Sequence, residues 1–285
     1  MSRMRLVVTF ALGAILSAAP AAATIDPGTA TTFWDAVGYP TIEPDFDDDQ
    51  QTGIADSDIV GEAAHPAFYI QFDDAGTADP TDGWIAFRVR LGADTPPAGF
   101  SHFFGVGVDA DLDGDLDIFL GVDNSGAADE VAIWDGGSGL NVSPNTTTLS
   151  NSPLSSDPVD STPVTGNYDW SQVTAALDPT ASDFDLDDDG NTDYFLSFVI
   201  PFADVVAAVG GGFDDATQVA YVIGTSNQSN ALNNDLGGPD DSNLDGDLTW
   251  TQLGALTNPA APIPEPGAAL LWAVAVAGLA RLRRS

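Results

Sequence analysis

The sequence predicts an all-β protein, an antiparallel β-sandwich of the jelly-roll type with acidic loops between its strands. Its apolar segments are short, rich in β-branched and aromatic residues, and separated by Gly, Pro, Asn and Asp. In several of them apolar and polar residues alternate, as in a strand with one buried face. Only residues 202–209, which follow Pro201, have the features of a helix. We therefore expect two packed antiparallel sheets and little helix.

The predicted strands follow from this two-residue period. In residues 84–91 four aliphatic or aromatic side chains share one face, and Arg88 and Arg90 lie on the other. Residues 35–64 and 143–166 are rich in turn-forming residues and are predicted to be long loops within one domain. The full set of predicted strands is 68–72, 84–91, 103–108, 117–122, 131–134, 194–200, 219–224 and 248–252.

The N-terminus predicts a signal peptide over residues 1–23. Arg3 and Arg5 form a positive segment, residues 6–16 are apolar with one Thr, and a run of small residues ends at Ala23. The alternative is a membrane anchor, but an apolar run of this length is short for a bilayer. Residues 24–259 then form the β-sandwich body.

The C-terminal residues 260–285 predict a sorting tail. Pro264, Glu265 and Pro266 precede an apolar segment over 268–280 and a final cluster of three arginines. As a helix, this segment rises only about 20 Å, less than the ~30 Å of a hydrocarbon core. The basic end is expected to stay cytoplasmic, so that the rest of the chain lies across the membrane.

The Pro-Glu-Pro motif, the short apolar helix and the Arg cluster together resemble the PEP-CTERM sorting signal of Gram-negative bacteria. The resemblance implies recognition by exosortase-type sorting machinery after transient contact with the inner membrane. It also implies delivery to the cell surface, the outer membrane or the extracellular matrix. A permanent single-pass anchor is the alternative.

The composition of the body excludes several partners. Residues 24–262 contain every acidic residue except Glu265 and only two basic residues, Arg88 and Arg90, so their formal charge is near −40. Such a surface repels nucleic acid and anionic lipid. The chain has no Cys, so disulfides cannot stabilise it. Asp outnumbers Glu 39 to 4, which indicates turns and metal loops, with salt adaptation as the competing explanation.

The strongest chemical signal is a nine-residue acidic pattern with Gly at position six, which occurs twice and recurs in a weaker third copy. Carboxylates at positions one, three and five converge when Gly permits a sharp turn, position seven can offer a carbonyl oxygen, and position nine adds an acid. The residues of the first copy are Asp109, Asp111, Asp113, Asp115 and Asp117. Those of the second are Asp185, Asp187, Asp189, Asn191 and Asp193, and those of the third are Asp241, Asn243 and Asp245.

Calcium is the predicted cofactor of these loops, because all their ligands are oxygens. The loops differ from EF-hands, since position twelve of the first copy is Leu120 and no helix follows. The alternative is a set of acidic hairpin turns. However, five Asp at alternate positions repel one another by on the order of 1 kcal/mol per neighbouring pair unless a cation is present.

Residues 84–225 also resemble family 9 carbohydrate-binding modules and DOMON sandwiches. The resemblance lies in Asp82-Gly83-Trp84, in Gly107-Val108-Asp109, and in residues 198–202 followed by 219–225. It implies a ligand-binding sandwich. Core packing is the default for each tryptophan of the body, and Trp134 is the first candidate for stacking on an extracellular polysaccharide.

The sequence contains no recognisable catalytic motif, because His65 and His102 are its only histidines and it has no Cys. We expect a non-enzymatic surface or matrix protein with a structural or glycan-binding role. The open alternatives are a secreted polysaccharide hydrolase and a salt-adapted protein without metal sites.

Overall fold

The protein is described by a computed structural model over residues 25–40, 45, 57–92, 99–126, 129–136, 141–150, 152–229, 232, 234–239 and 248–261. The predicted signal peptide and the Pro264-Glu265-Pro266 tail lie outside the described residues. Among the described residues, none of the helices has the length and apolar character needed to cross a membrane.

Two packed antiparallel sheets form the body, as the sequence predicts. One sheet has the strand order β1-β2-β3-β9-β8, and the other has β11-β10-β4-β5-β6-β7. The strands are β1 (Asp35–Ala36), β2 (Phe68–Asp73), β3 (Trp84–Leu91), β4 (Phe103–Asp109), β5 (Ile118–Asp123), β6 (Glu130–Asp135), β7 (Ser155–Pro158), β8 (Tyr168–Gln172), β9 (Tyr194–Pro201), β10 (Ala220–Ser226) and β11 (Asp235–Leu236). The helices are α1 (Phe202–Val209) and α2 (Trp250–Leu253).

The inner faces of the two sheets meet in one apolar core. Phe87 on β3 lies at its centre, with its ring centroid 5.4 Å from that of Phe198 on β9. On the other side, Phe87 lies 5.6 Å from Tyr221 on β10, in the facing sheet. Aromatic contacts of this geometry add to the stabilisation gained from area burial, and these contacts hold the sheets face to face.

The outer faces of both sheets are also covered. Ile25, Trp34 and Val173 pack with Phe195 on the outer face of the five-stranded sheet. Leu149, Trp250 and Ala255 pack on the outer face of the six-stranded sheet. All seven residues of β4 are therefore buried, and so are Arg88 and Arg90, which have 0% exposure.

Most of the predicted elements are confirmed, with shifts of one or two residues at strand ends. The predicted helix over 202–209 is α1. The predicted strand over 248–252 is wrong, because this segment contains α2, in which Gln252 N donates to the Thr249 hydroxyl at 3.2 Å and caps the helix. The predicted loop over 143–166 contains the edge strand β7, which pairs with β6.

Trp134 does not lie on the surface. Its side chain is 2% exposed, and its ring packs edge-on against Phe103 at 5.3 Å. It belongs to the outer apolar cluster of the six-stranded sheet. The predicted stacking role of Trp134 is therefore corrected to core packing, because a buried ring offers no face to a sugar.

Candidate metal centre

The first acidic loop, residues 109–117, joins β4 to β5 in a hairpin. Two residues of this loop have a positive φ angle: Leu112, with φ of 62°, and Gly114, with φ of 96°. Both values lie in the left-handed region, which glycine adopts at little cost and leucine rarely does. This pair of turns folds the chain back on itself and brings its two ends together.

The second acidic loop, residues 185–193, leads into β9 and repeats this path. Its fourth residue, Asp188, has φ of 56°, and its sixth, Gly190, has φ of 91°. The positive-φ residues therefore have the same offsets as in the first loop. The repeated sequence pattern corresponds to a repeated backbone conformation.

Each loop brings together the carboxylates of positions one, three and nine. In the first loop these are Asp109, Asp111 and Asp117; their closest carboxylate oxygens lie within 4.8 Å of one another. The second loop brings Asp185, Asp187 and Asp193 together within the same limit. Three carboxylates this close could hold one metal ion.

The same backbone hydrogen bonds hold both groups of carboxylates. The amide of the glycine donates to the carboxylate of position one, from Gly114 to Asp109 at 3.0 Å and from Gly190 to Asp185 at 3.1 Å. The amide of position two donates to the carboxylate of position nine. This distance is 2.8 Å for Ala110 to Asp117.

The equivalent bond in the second loop runs from Leu186 to Asp193 at 3.3 Å. The two loops therefore share a template of glycine, turn and carboxylate, although the second bond is longer. In both loops, backbone amides of the loop itself orient the carboxylates of positions one and nine.

Positions five and seven lie outside these groups. The Asp113 carboxylate accepts the amide of Asp115 at 3.0 Å, and the Asp189 carboxylate accepts the amide of Asn191 at 2.7 Å. Position five therefore caps the turn. The third predicted loop, with Asp241, Asn243 and Asp245, lies outside the described residues.

In the first loop, Asp109, Asp115 and Asp117 have raised pKa values. Desolvation raises the pKa of Asp109 and of Asp117, although backbone amides act in the opposite direction. Asp111 and Asp117 are exposed, and Asp109 is buried. Among the described residues, no arginine lies within ion-pair distance of this loop.

Two of the three converging carboxylates of the second loop are buried, and their pKa shifts are larger. Burial, followed by a hydrogen bond shared with Asp185, raises the pKa of Asp187 to about 7. Burial also raises the pKa of Asp193 to about 6, even though Arg90 favours its ionised form. A cation that replaced water around these groups would favour the ionised form of both.

Sequence reasoning missed the contact between Arg90 and the second loop. Arg90 Nε donates to the Asp193 carboxylate at 2.5 Å, and both side chains are fully buried. A signal was present, because an arginine in an otherwise apolar strand of a body with only two basic residues needs an acidic partner. The identity of that partner depends on the pairing of β3 with β9, in which Leu91 opposes Tyr194.

The two loops lie at opposite ends of the sandwich. The second loop precedes the N-terminal end of β9. Across a cavity of about 290 Å³, the first loop borders Val209, the last residue of α1, and residues 210–213 after it. Helix α1 directly follows the C-terminal end of β9. Any two ions bound there would be separated by the length of the strands.

Chemically, the two groups of carboxylates suit a hard cation. Calcium takes six to eight oxygen ligands, so each group would supply three carboxylates and leave further positions for carbonyl oxygens or water. No family model matches the chain, and neither the search of curated proteins nor that of solved structures returned a match.

Proposed function

We propose that this chain is an exported, non-enzymatic β-sandwich of the cell surface or extracellular matrix, stabilised by calcium in its acidic loops. One observation carries the proposal. The same nine-residue template occurs at both ends of the sandwich and in each case brings the carboxylates of positions one, three and nine within 4.8 Å. Turn formation alone does not require three converging carboxylates.

Calcium is favoured over other metals by the chemistry of the ligands. Neither group contains a nitrogen or sulfur ligand, as zinc sites usually do. Magnesium demands near-ideal octahedral geometry and retains its water, whereas calcium accepts irregular sets of oxygens. A body without disulfides also gains most from ions that stabilise only its folded state.

A calorimetric titration of the purified protein at pH 8 tests the proposal. We expect calcium to bind at two or more sites, and Asp111→Asn and Asp187→Asn each to remove one of them. The matched control is Asp135→Asn, an acidic residue at the end of β6 that lies outside both loops. Absence of calcium binding would leave the loops as acidic turns.

Export and sorting form a separate part of the proposal, supported by the resemblance of the tail to PEP-CTERM signals. Replacing Glu265 and Pro266 with Ala should leave export intact and trap the protein at the inner membrane. Cell fractionation with an antibody to the body measures this. Normal surface delivery of the variant would refute the role of the motif.

Glycan binding is a second candidate, favoured by one cleft. A cavity of about 400 Å³ is lined by Trp84, Ile25 and Val199 on its apolar side and by Asp157 and Asp160 on its polar side. Trp84 is partly buried and packs against the outer apolar cluster. An indole beside carboxylates fits a neutral polysaccharide, whose hydroxyls donate to the carboxylates.

A glycan array with wild type and Trp84→Ala tests this second candidate. Glycan binding that is lost in Trp84→Ala but kept in Trp134→Phe would identify this cleft as the glycan-binding site. Equal loss in both variants would indicate a general effect on folding. Hydrolysis of any polysaccharide by the wild type would instead favour an enzyme.

A further inference from the structure

The carboxylate of Asp193 belongs both to the second acidic loop and to a buried ion pair. Its Oδ2 atom accepts Arg90 Nε at 2.5 Å. Asp193 is also the ninth residue of the loop and one of its three converging carboxylates. The guanidinium of Arg90 therefore lies directly beside the place where a cation would bind.

A second buried carboxylate holds the other side of the guanidinium. Arg90 Nη1 lies 3.6 Å from Asp178 Oδ2, and the Asp178 side chain is 1% exposed. The same Asp178 Oδ2 contacts His65 Nδ1 at 3.2 Å, and Asp178 Oδ1 accepts the Thr31 hydroxyl at 3.4 Å. Asp178 therefore gives Arg90 a second buried ion pair, on the side of the guanidinium away from the Nε contact with Asp193.

In the described ranges, no arginine takes the equivalent position beside the first loop. The ninth residue, Asp117, is exposed, and its Oδ2 atom accepts only the Ala110 amide among the contacts of the described residues. Within the described part of the chain, no arginine forms an ion pair with the five carboxylates of the first loop. The two loops share the template, and among the described residues Arg90 brings a permanent positive charge to the second loop alone.

We propose that Arg90 is the resident counter-charge of the second loop, which keeps that loop formed without calcium and weakens its calcium binding. The first loop, in contrast, depends on calcium for its order. This inference rests on the proposed calcium binding. Physically, the guanidinium neutralises Asp193 in the buried site, and the same positive charge repels an incoming divalent cation.

The variant Arg90→Gln tests this role in the Asp111→Asn background, in which the first loop no longer binds calcium. At pH 8, above the pKa values of Asp187 and Asp193, we expect the calcium affinity of the second loop to rise by about tenfold or more. We also expect the calcium-free protein to be less stable, because Asp193 is left buried without its partner. Arg90→Lys keeps the charge and should stay within about threefold of the parent affinity.

Arg88→Gln is the matched control. Arg88 is on the same face of the same strand and is equally buried, but it donates to the Ser197 hydroxyl and the Pro27 carbonyl. Its guanidinium lies over the ring of Trp34. Its loss should lower stability while leaving the calcium affinity of the second loop unchanged. Unchanged or weaker calcium binding in Arg90→Gln, or equal tightening in Arg88→Gln, would overturn the inference.

A hydrogen-exchange measurement on the calcium-free wild type keeps the inference testable if Arg90→Gln does not fold. The Leu186 amide should exchange more slowly than the equivalent Ala110 amide, and calcium should slow Ala110 more. Equal exchange at both amides would overturn the inference. A wild type that binds no calcium would refute the proposed function itself, whereas two sites with no effect of Arg90 would refute only this inference.

Discussion

The loop after β4 and the loop before β9 have the same backbone and different electrostatic surroundings. Both place glycine at position six and bring the carboxylates of positions one, three and nine together. Of the three converging carboxylates, Asp109 is the one that is buried in the first loop, whereas Asp187 and Asp193 are buried in the second. Among the described residues, Arg90 pairs with the second loop and no arginine pairs with the first. The comparison teaches that a ligand template is local in sequence, but its affinity and its need for metal are set by the rest of the fold.

The largest expected effect comes from disabling both loops at once. With calcium at 100 times its dissociation constant, each independent site adds about 2.7 kcal/mol, so Asp111→Asn with Asp187→Asn should remove about 5 kcal/mol of calcium-dependent stability. Because the loops lie at opposite ends of the sandwich, the two single effects should add. Urea unfolding with and without calcium measures this, and strong non-additivity would show that the loops are coupled.

In the calcium-free protein, single substitutions should change the stability by less than this, and the change should differ between the two loops. Because burial raises the pKa of Asp187 to about 7, its ionised form destabilises the fold at pH 8. Asp187→Asn should therefore stabilise the calcium-free protein by about 1–2 kcal/mol. Asp111 is exposed, and Asp111→Asn should change the stability by less than about 0.5 kcal/mol. A destabilising Asp187→Asn would show that the second loop is not under electrostatic strain.

The pH dependence of the stability should come mainly from the second loop. A carboxyl group with a raised pKa in the folded state contributes stability below its unfolded pKa, and this contribution is lost as pH rises through the folded value. The calcium-free protein should therefore lose stability between about pH 4 and pH 7, mainly through Asp187 and Asp193. Thermal melting across this range checks it, and Asp187→Asn should flatten the curve.

The smallest expected effect concerns the left-handed backbone conformation that both loops have at position four. Leu112 and Asp188 both occupy position four with positive φ. Leu112→Gly and Asp188→Gly should each stabilise the protein by roughly 0.5–1 kcal/mol, since glycine relieves the left-handed strain. Similar gains in urea unfolding would support a common backbone template. A gain in only one loop would mean that the two backbones differ in solution.

Sequence reasoning predicted the strands well wherever the two-residue period was unbroken. Residues 84–91 form β3 with the predicted bounds. It failed at residues 248–252, where Thr249 and Gln252 form a helix cap that outweighs the strand-like composition. It also missed β7, because the sequence Ser-Ser-Asp-Pro is polar and owes its conformation to pairing with β6.

The acidic loops were predictable because their geometry is local. Gly114 and Gly190 fix the turns, and neighbouring amides orient the carboxylates. The surroundings of the second loop were not predictable, because Arg90 and Asp193 are 103 residues apart in the chain. The burial of Trp134 agrees with the default for a tryptophan, but the residues that share its cluster, such as Leu149 and Trp250, come from distant segments and were not predictable.

Thermal melting in calcium and in sodium chloride tests the central claim most directly. The purified wild type is melted at pH 8 in millimolar calcium chloride and in sodium chloride of equal ionic strength. Sodium chloride screens charges over about 8 Å at physiological strength but does not occupy the loops. We predict that calcium raises the melting temperature far more than sodium chloride, and that Asp111→Asn with Asp187→Asn abolishes most of the difference. Equal stabilisation by the two salts would contradict the account and identify the aspartates as a general adaptation to salt.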